Sequence, residues 1–442
     1  MVDGEDRNLQ PLHITASRPV IPQKEVVRPG FWRLSTTICA MLANFGTSIL
    51  IARTIGPSGF GIYMLVCWLA TVSLPAVGVG VSPLTNRHIT ETQSHESPRL
   101  VAGIFYLVWH RQYRNIVSYG LVYILLAFLC SRLLFHTIPL VPLLVAGLIA
   151  PPMLLSGVAS ATLRSLKRFD ILAVLHLFGA FINLFMVILA IQIQFEQISI
   201  LLLASATASI LTLIVALISV IRLLPLEKAL TPGPFLQERL KRGLYSSFRL
   251  FLQDVVVWQH VEVLIVVYLY STAKVGNYLL ATSISLQVME LAPLLLSVAI
   301  LPLILHFLPG QRYKNIRDAF YKTTLYLTLI TLTICLVIAF LAPWLIENAF
   351  GADFKDAILP FRILLVAAAF GSISTISLTL LVRQESKRIQ ARLGTIAALL
   401  ALVLAIPLVY YWGIMGAAIA SASAQIFAAT SSMALCYRYL HS

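Results

Sequence analysis

Charged residues are scarce: Asp, Glu, Lys and Arg make up 11% of the 442 residues, and only 18 of them are acidic. Soluble domains carry roughly a quarter, so a water-facing surface over most of this chain is excluded. Cysteine is rare too. Cys39, Cys67, Cys130, Cys335 and Cys436 each lie in an apolar run, with no CxxC spacing and no neighbouring His cluster. That pattern argues against a disulfide framework or a metal centre, and no cofactor is expected. A phosphate-cradling GxxxxGK[ST] is missing, and so is HExxH, since His95-Glu96 runs on into Ser97, Pro98 and Arg99. An enzyme reading, such as a membrane glycosyltransferase or polymerase, therefore lacks carriers for its chemistry. Residues 1–30 have no apolar core of a signal peptide. With Pro11, Pro19, Pro22 and Pro29 among mixed charges, they read as a disordered cytoplasmic tail. The net charge of +14 is spread over short segments between apolar runs, with no basic globular domain, so no nucleic-acid partner is expected.

What remains is hydrocarbon: 59% of the residues are hydrophobic. A crossing needs about 20 mainly apolar residues, and twelve runs qualify: 31–52, 60–83, 115–135, 138–163, 171–194, 198–222, 248–270, 275–306, 319–346, 357–382, 390–411 and 412–437. Each must be a helix, because lipid gives an open backbone no hydrogen-bond partner. The fold class is thus all-α and polytopic, in two six-helix lobes at 31–224 and 248–442. A cytoplasmic linker at 225–247 joins them and contains Pro225, Pro232 and Pro234.

Basic residues test that count. With the N-terminus in the cytoplasm, 27 of the 32 Lys and Arg fall on the cytoplasmic side; only Arg53, Arg132, Lys274 and Lys355 face the other side, and Arg362 lies within a span. Losing or adding one helix would scramble this bias, which sets both termini in the cytoplasm. In the cytoplasmic loop 84–114, the mixed apolar and basic stretch Arg99–Arg114 is compatible with either an interfacial helix or a solvated linker.

The halves repeat. Phe60-Gly61-Ile62-Tyr63 aligns with Val275-Gly276-Asn277-Tyr278 at an offset of 215, and Lys167-Arg168 aligns with Lys387-Arg388 at an offset of 220. Six spans per half give both halves the same sense in the membrane, hence a pseudo-twofold axis along its normal. Gly61 and Gly276 suit helices that start close against neighbouring backbone, and Gly416, Ala420 and Ala424 form a small-residue ridge.

Three segments carry a family resemblance: Arg53-Thr54-Ile55-Gly56-Pro57-Ser58-Gly59-Phe60-Gly61-Ile62-Tyr63, Phe350-Gly351-Ala352-Asp353-Phe354 with Ala357 and Arg362, and Trp412 through Ala420. They resemble the polysaccharide transporter branch of the MOP flippase superfamily, which includes Wzx-type O-antigen flippases and shares the MATE-like fold. The resemblance implies a bacterial inner-membrane, multi-pass flippase. Its substrate would be an undecaprenyl-linked glycan, an O-antigen or exopolysaccharide repeat carried from the cytoplasmic to the periplasmic leaflet. Membrane lipid and other polysaccharide assembly proteins are the implied partners. A lipid II flippase and a MATE-type drug or cation antiporter share this architecture and stay open as alternatives.

A sugar and a pyrophosphate need a wet path, so polar groups inside the spans are the candidates. Span seven carries Arg249, Gln253, Asp254, Trp258, Gln259, His260 and Glu262; Asp254, Trp258 and Glu262 recur every four residues and share one face. Span eight places Ser283, Gln287 and Glu290 at i, i+4 and i+7, and span one offers Thr37, Asn44 and Ser48. The expectation is a cavity lined by spans one, seven and eight. Asp254, Glu262 or Glu290 would bind a coupling Na⁺ or H⁺. Arg249, His260 and Arg362 would meet the pyrophosphate, and Asn44, Gln253, Trp258, Gln259 and Gln287 would line the passage. The alternative reading makes the acids buried ion pairs that fix helix packing.

Overall fold

A computed structural model describes residues 23–72, 98–134, 139–193, 197–224, 260–291, 294, 313–380 and 384–441. The described part is helical: α1 Gln23–Val72, α2 Pro98–Leu129 ending in a π-turn Cys130–Leu134, α3 Leu140–Gly147, α4 Ala150–Ser165, α5 Phe169–Gln192 and α6 Gln197–Leu223 form the first half. The second half holds α7 Val263–Leu269, α8 Thr272–Met289, α9 Tyr313–Ala349, a 3₁₀ turn Ala352–Ala357, α10 Ile358–Leu380 and α11 Gln384–His441. Among the described residues, seven helices are long and apolar enough to cross a membrane.

Two of them are too long to be single crossings. Straight helices of 50 and 58 residues would extend about 75 and 87 Å, against a hydrocarbon core of ~30 Å. Both are broken at a glycine in left-handed conformation, Gly56 (φ 65°) in α1 and Gly413 (φ 60°) in α11. Past the second break the chain turns back on itself. A Cβ at Gly416 would run into the carbonyl of Leu408, a residue that a straight helix would hold more than two turns and about 12 Å away along its axis. Spans one and two thus lie in α1, and eleven and twelve in α11. The proline-rich fourth span divides into α3 and α4, with Pro151 and Pro152 in the first turn of α4, where a missing N–H costs nothing. Span seven is described only from His260 and span eight to Leu294; the linker at 225–247 lies outside the described residues.

Two expectations are corrected. Helix α1 begins at Gln23, inside the stretch 1–30 read as a disordered tail, and continues through Pro29 and Gly30 into the first span. The segment Arg99–Arg114 is neither an interfacial helix nor a solvated linker but the first half of α2. Val101, Ile104, Phe105 and Val108 recur at helical spacing and are buried with Val158, Ala159, Leu163 and Val220 of α4 and α6.

In the first half, α1 packs on α5, α5 on α6, and α2, α3 and α4 close around them; in the second, α10 packs on α9, α8 and α11. Leu121, Phe340, Trp344 and Tyr411 are among many large apolar side chains on the periphery, with Phe340 82% exposed. A belt of that kind is tolerated only against lipid.

The halves meet chiefly through α1 against α8 and the 3₁₀ turn. Gly61 and Gly276 stand back to back: a Cβ at Gly61 would collide with the Thr272 carbonyl and reach the Gly276 amide at 2.9 Å, and a Cβ at Gly276 would collide with the Pro57 carbonyl. Around them Phe60 meets Phe354 edge to face at 5.8 Å and Phe45 meets Phe350 at 5.5 Å. Arg53 completes the seam. Its Nε donates to the Ala349 carbonyl at 2.7 Å and its Nη2 to the Asn348 carbonyl, capping the C-terminus of α9 with a cation.

Candidate functional site

Ahead of α7 the chain makes a turn in which His260 adopts φ 55°, a conformation uncommon for a bulky residue. The turn points both His260 and Glu262 into the second half, and each is only 3% exposed. Val263 and Val266, fully buried on α7, hold the short helix against α8 and α11. The Tyr270 hydroxyl donates to the Val409 carbonyl at 3.0 Å and fixes its far end.

The resulting polar cluster is small and closed. Glu262 Oε1 lies 2.9 Å from His260 Nδ1 and accepts a 2.6 Å hydrogen bond from the Tyr278 hydroxyl of α8. His260 Nδ1 also lies 2.9 Å from Ser421 Oγ of α11, and Gln425 Nε2 donates to that oxygen at 3.4 Å. His260 Nε2 is buried with no hydrogen-bond partner among the described residues. An isolated carboxylate in such surroundings costs several kcal/mol; the short bond from Tyr278 and the imidazole offset part of it.

Repeat-related residues occupy the first half without the ionisable groups. Tyr278 corresponds to Tyr63 at the offset of 215, Glu262 to Thr47 at 215, and Ser421 to Ser205 at 216. Tyr63 and Ser205 meet directly, hydroxyl to hydroxyl at 3.0 Å, while the Thr47 hydroxyl turns back to the Ala43 carbonyl of its own helix at 2.9 Å. The first half joins its tyrosine and serine directly, whereas in the second half Tyr278 bonds to Glu262 and Ser421 to His260, so an acid and an imidazole stand between them.

The candidates read from the sequence are thus divided. Glu262 and His260 are brought together, but inside the second half. Glu262 does not face a gap between the halves, and His260 is too deeply buried to meet a pyrophosphate. Of the face read from the four-residue spacing of Asp254, Trp258 and Glu262, Glu262 is described, and there α8 and α11 cover it. Glu290 is exposed at the end of α8, and Gln287 and Ser283 are part-exposed. These three sit about 120 to 180° around α8 from Tyr278, so Glu290 and Glu262 do not share a lining. Asn44 is exposed on α1, with its carbonyl accepting from Ser48 at 3.1 Å. Arg362 is exposed on the stripe of α10 shared with Leu359 and Val366, and its Nε donates to the Ala339 carbonyl at 2.9 Å. That outward position is opposed to an anion-binding role beside His260. Arg249, Gln253, Asp254, Trp258 and Gln259 lie outside the described residues. Tyr278, Ser421 and Gln425 escaped the sequence reading; the repeat offset that pairs Tyr278 with Tyr63 and Ser421 with Ser205 was the signal that could have found them.

Residues 49–359 match the family described as "Polysaccharide biosynthesis protein". No curated protein sequence matches the chain. Among solved structures, the fold is similar to an inward-facing multidrug resistance MATE family transporter of the MOP superfamily, with a TM-score of 0.71 and 14% identity over 93% of this chain and 98% of that one. It is similar to the lipid II flippase MurJ in an inward closed conformation, with a TM-score of 0.67 and 15% identity over 92% and 87%. An outward-facing multidrug resistance MATE family transporter of the same superfamily gives a TM-score of 0.64 and 14% identity over 95% and 96%. The fold is therefore the two-bundle fold of MOP-superfamily transporters.

Proposed function

The chain belongs to the polysaccharide biosynthesis family, a multi-pass membrane flippase with the MOP fold, and we propose that it carries a polyprenyl-pyrophosphate-linked oligosaccharide from the cytoplasmic to the periplasmic leaflet. The cargo on this reading is an O-antigen or exopolysaccharide repeat unit, and the membrane is the bacterial inner membrane with both termini in the cytoplasm. The family match supports a glycan cargo on this reading. The positive-inside distribution supports the orientation.

The observation that carries the mechanism is the seam between the halves. Gly61 and Gly276 let two backbones approach as closely as backbones can, and Arg53 clamps the same end. Two rigid bundles that meet so tightly at one end, about a pseudo-twofold axis, can exchange that seal for one at the other end by rocking. The headgroup would cross between the halves past polar groups such as the exposed Asn44 and the part-exposed Gln287, with the polyprenyl tail left in lipid. Ion entry would drive the cycle, with Glu262, Asp254 and Glu290 as the candidate acids.

Deletion of the gene in its host tests the reading. Lipid-linked repeat units should accumulate on the cytoplasmic face, and surface polysaccharide should be lost, with both restored by the wild-type chain. Unchanged surface polysaccharide together with a gain in drug sensitivity would favour an antiporter instead.

A further inference from the structure

Helix α9 is interrupted by Pro343. A proline has no N–H to give to the carbonyl four residues back, here that of Ala339, and a backbone oxygen left open in lipid is costly. Arg362 of α10 supplies the missing donor, its Nε bonding to the Ala339 carbonyl at 2.9 Å. That bond also aims the rest of the side chain, because the guanidinium is a rigid plane.

The break alone does not call for a cation. Helix α11 carries Pro407, whose freed carbonyl is that of Val403, and among the described residues no side chain donates to it. A hydroxyl would serve as well, as Thr331 and Thr333 show by donating to carbonyls of α9 at 2.8 Å. Arg362 instead brings two Nη groups that the cap does not use, and among the described residues nothing accepts from them. Glu347, Asp353 and Asp356 are exposed at the end of α9 and in the 3₁₀ turn, yet none of them pairs with it.

The guanidinium faces lipid. Leu359 and Val366 on its own stripe, with Phe340 and Trp344 on α9, are exposed, and such a face borders acyl chains. With the termini in the cytoplasm, as proposed, residues 350–357 lie on the periplasmic side and α10 enters the membrane there. Arg362 then sits four residues into the helix, about 6 Å deep. That depth matches one headgroup layer, since a bilayer measures ~40–45 Å with its headgroups and ~30 Å without. Trp344, near the same end of α9, suits that layer too.

An outward-facing, unpaired guanidinium at this level meets one abundant anion, the phosphodiester of a lipid. We propose that Arg362 is a phospholipid-phosphate site in the periplasmic leaflet, with the Ala339 carbonyl aiming the side chain and the phosphate accepting from the two Nη groups. Occupancy bears on the seam between the halves. The stretch Pro343–Ala349 is held below by Arg362 and above by Arg53 of the first half. A bound phosphate keeps the guanidinium on Ala339 and steadies the break; its loss frees the stretch and loosens the grip of Arg53.

Native mass spectrometry of the full-length protein, released from micelles doped with phosphatidylglycerol, tests the site. Wild type should retain the lipid, and Arg362→Gln should retain about tenfold less, the worth of one charge-assisted contact. Arg362→Lys keeps the charge without the fork and should fall between them; it serves if the first variant does not fold. A diacylglycerol glycolipid with the same chains and no phosphate should not be retained by either. Inorganic phosphate and pyrophosphate, added in excess, should displace none of the lipid, which separates a membrane source from an aqueous anion or the headgroup of the cargo. In nanodiscs, the peptide that spans Pro343 should exchange amide hydrogens about tenfold more slowly in phosphatidylglycerol than in the glycolipid, and Arg362→Gln should erase the difference. Equal retention by wild type and both variants, or displacement by either free anion, would overturn the proposal. The site is separate from the cargo path, so a protein that moves no glycan but binds phosphatidylglycerol through Arg362 leaves this inference standing and removes the flippase reading.

Discussion

Gly61 and Gly276, 215 residues apart in the chain, occupy equivalent places in the two halves and pack against each other so closely that neither has room for a Cβ. Both also sit where the motif Gly-x-Tyr recurs, two residues before the buried Tyr63 and Tyr278. The pseudo-twofold axis therefore passes close to this contact, and any change in the angle between the halves must make or break it.

Gly61→Val and Gly276→Val should each wedge the seam open. Overpacking of this kind costs about 1–3 kcal/mol, enough to depopulate the sealed state by one or two orders of magnitude. The variants should insert normally and lose export. A cysteine at Ser58, labelled from outside by a membrane-impermeant thiol reagent, should react faster in them than in an otherwise wild-type chain.

Arg53→Ala removes the cation from the end of α9. Because Arg53 is exposed, the loss in stability should be small, about 1 kcal/mol, and visible as a modest drop in melting temperature in detergent. Arg53→Lys keeps the charge but cannot donate in two directions from a planar fork, so it should recover only part of the loss.

Tyr278→Phe and Tyr63→Phe delete the same atom at equivalent places, yet they should differ. Without Tyr278 the buried Glu262 loses its shortest bond, at 2.6 Å, and stability should fall by about 1–3 kcal/mol. Without Tyr63 only a hydroxyl pair at 3.0 Å is lost, worth about 1 kcal/mol. Thermal unfolding of the two variants side by side would check the order.

Glu262→Gln should abolish export while leaving the protein in the membrane at wild-type amounts, and Asp254→Asn should do the same if that acid shares the coupling role. Surface polysaccharide and membrane abundance, measured in the same cells, separate loss of transport from loss of protein. Wild-type export in both variants would remove the acids from the mechanism.

Much of the architecture was legible because the bilayer leaves few choices. Apolar length and the alternation of Lys and Arg marked the spans, and the Gly61 and Gly276 motifs announced the close approach that the structure contains. The break at Gly56 fell inside the connection read between spans one and two, and the break at Gly413 fell at the second residue of span twelve, where spans eleven and twelve adjoin. The site was harder. Asp254, Trp258 and Glu262 define one helical face by their spacing, but spacing does not tell whether that face meets a gap or another helix, and α8 and α11 cover it at Glu262. Arg362 drew attention as a charge within a span, although its stripe also carries the exposed Leu359 and Val366. Ser421 was invisible because hydroxyl residues are common in packed membrane helices; only its repeat partner Ser205 distinguishes it. The stretch Arg99–Arg114 misled because basic residues among apolar ones suggest a surface, whereas α2 is long enough to bury its apolar stripe first and expose the bases beyond it.

The most direct test of the whole account is reconstitution of the purified chain into liposomes that hold a polyprenyl-pyrophosphate-linked oligosaccharide in the inner leaflet. A glycan-specific lectin added outside then reads how much of the headgroup has crossed. The account predicts lectin-accessible glycan in wild-type vesicles and only the empty-liposome background with Glu262→Gln. Background levels with the wild-type protein, in vesicles where the same preparation exports an organic cation, would contradict it.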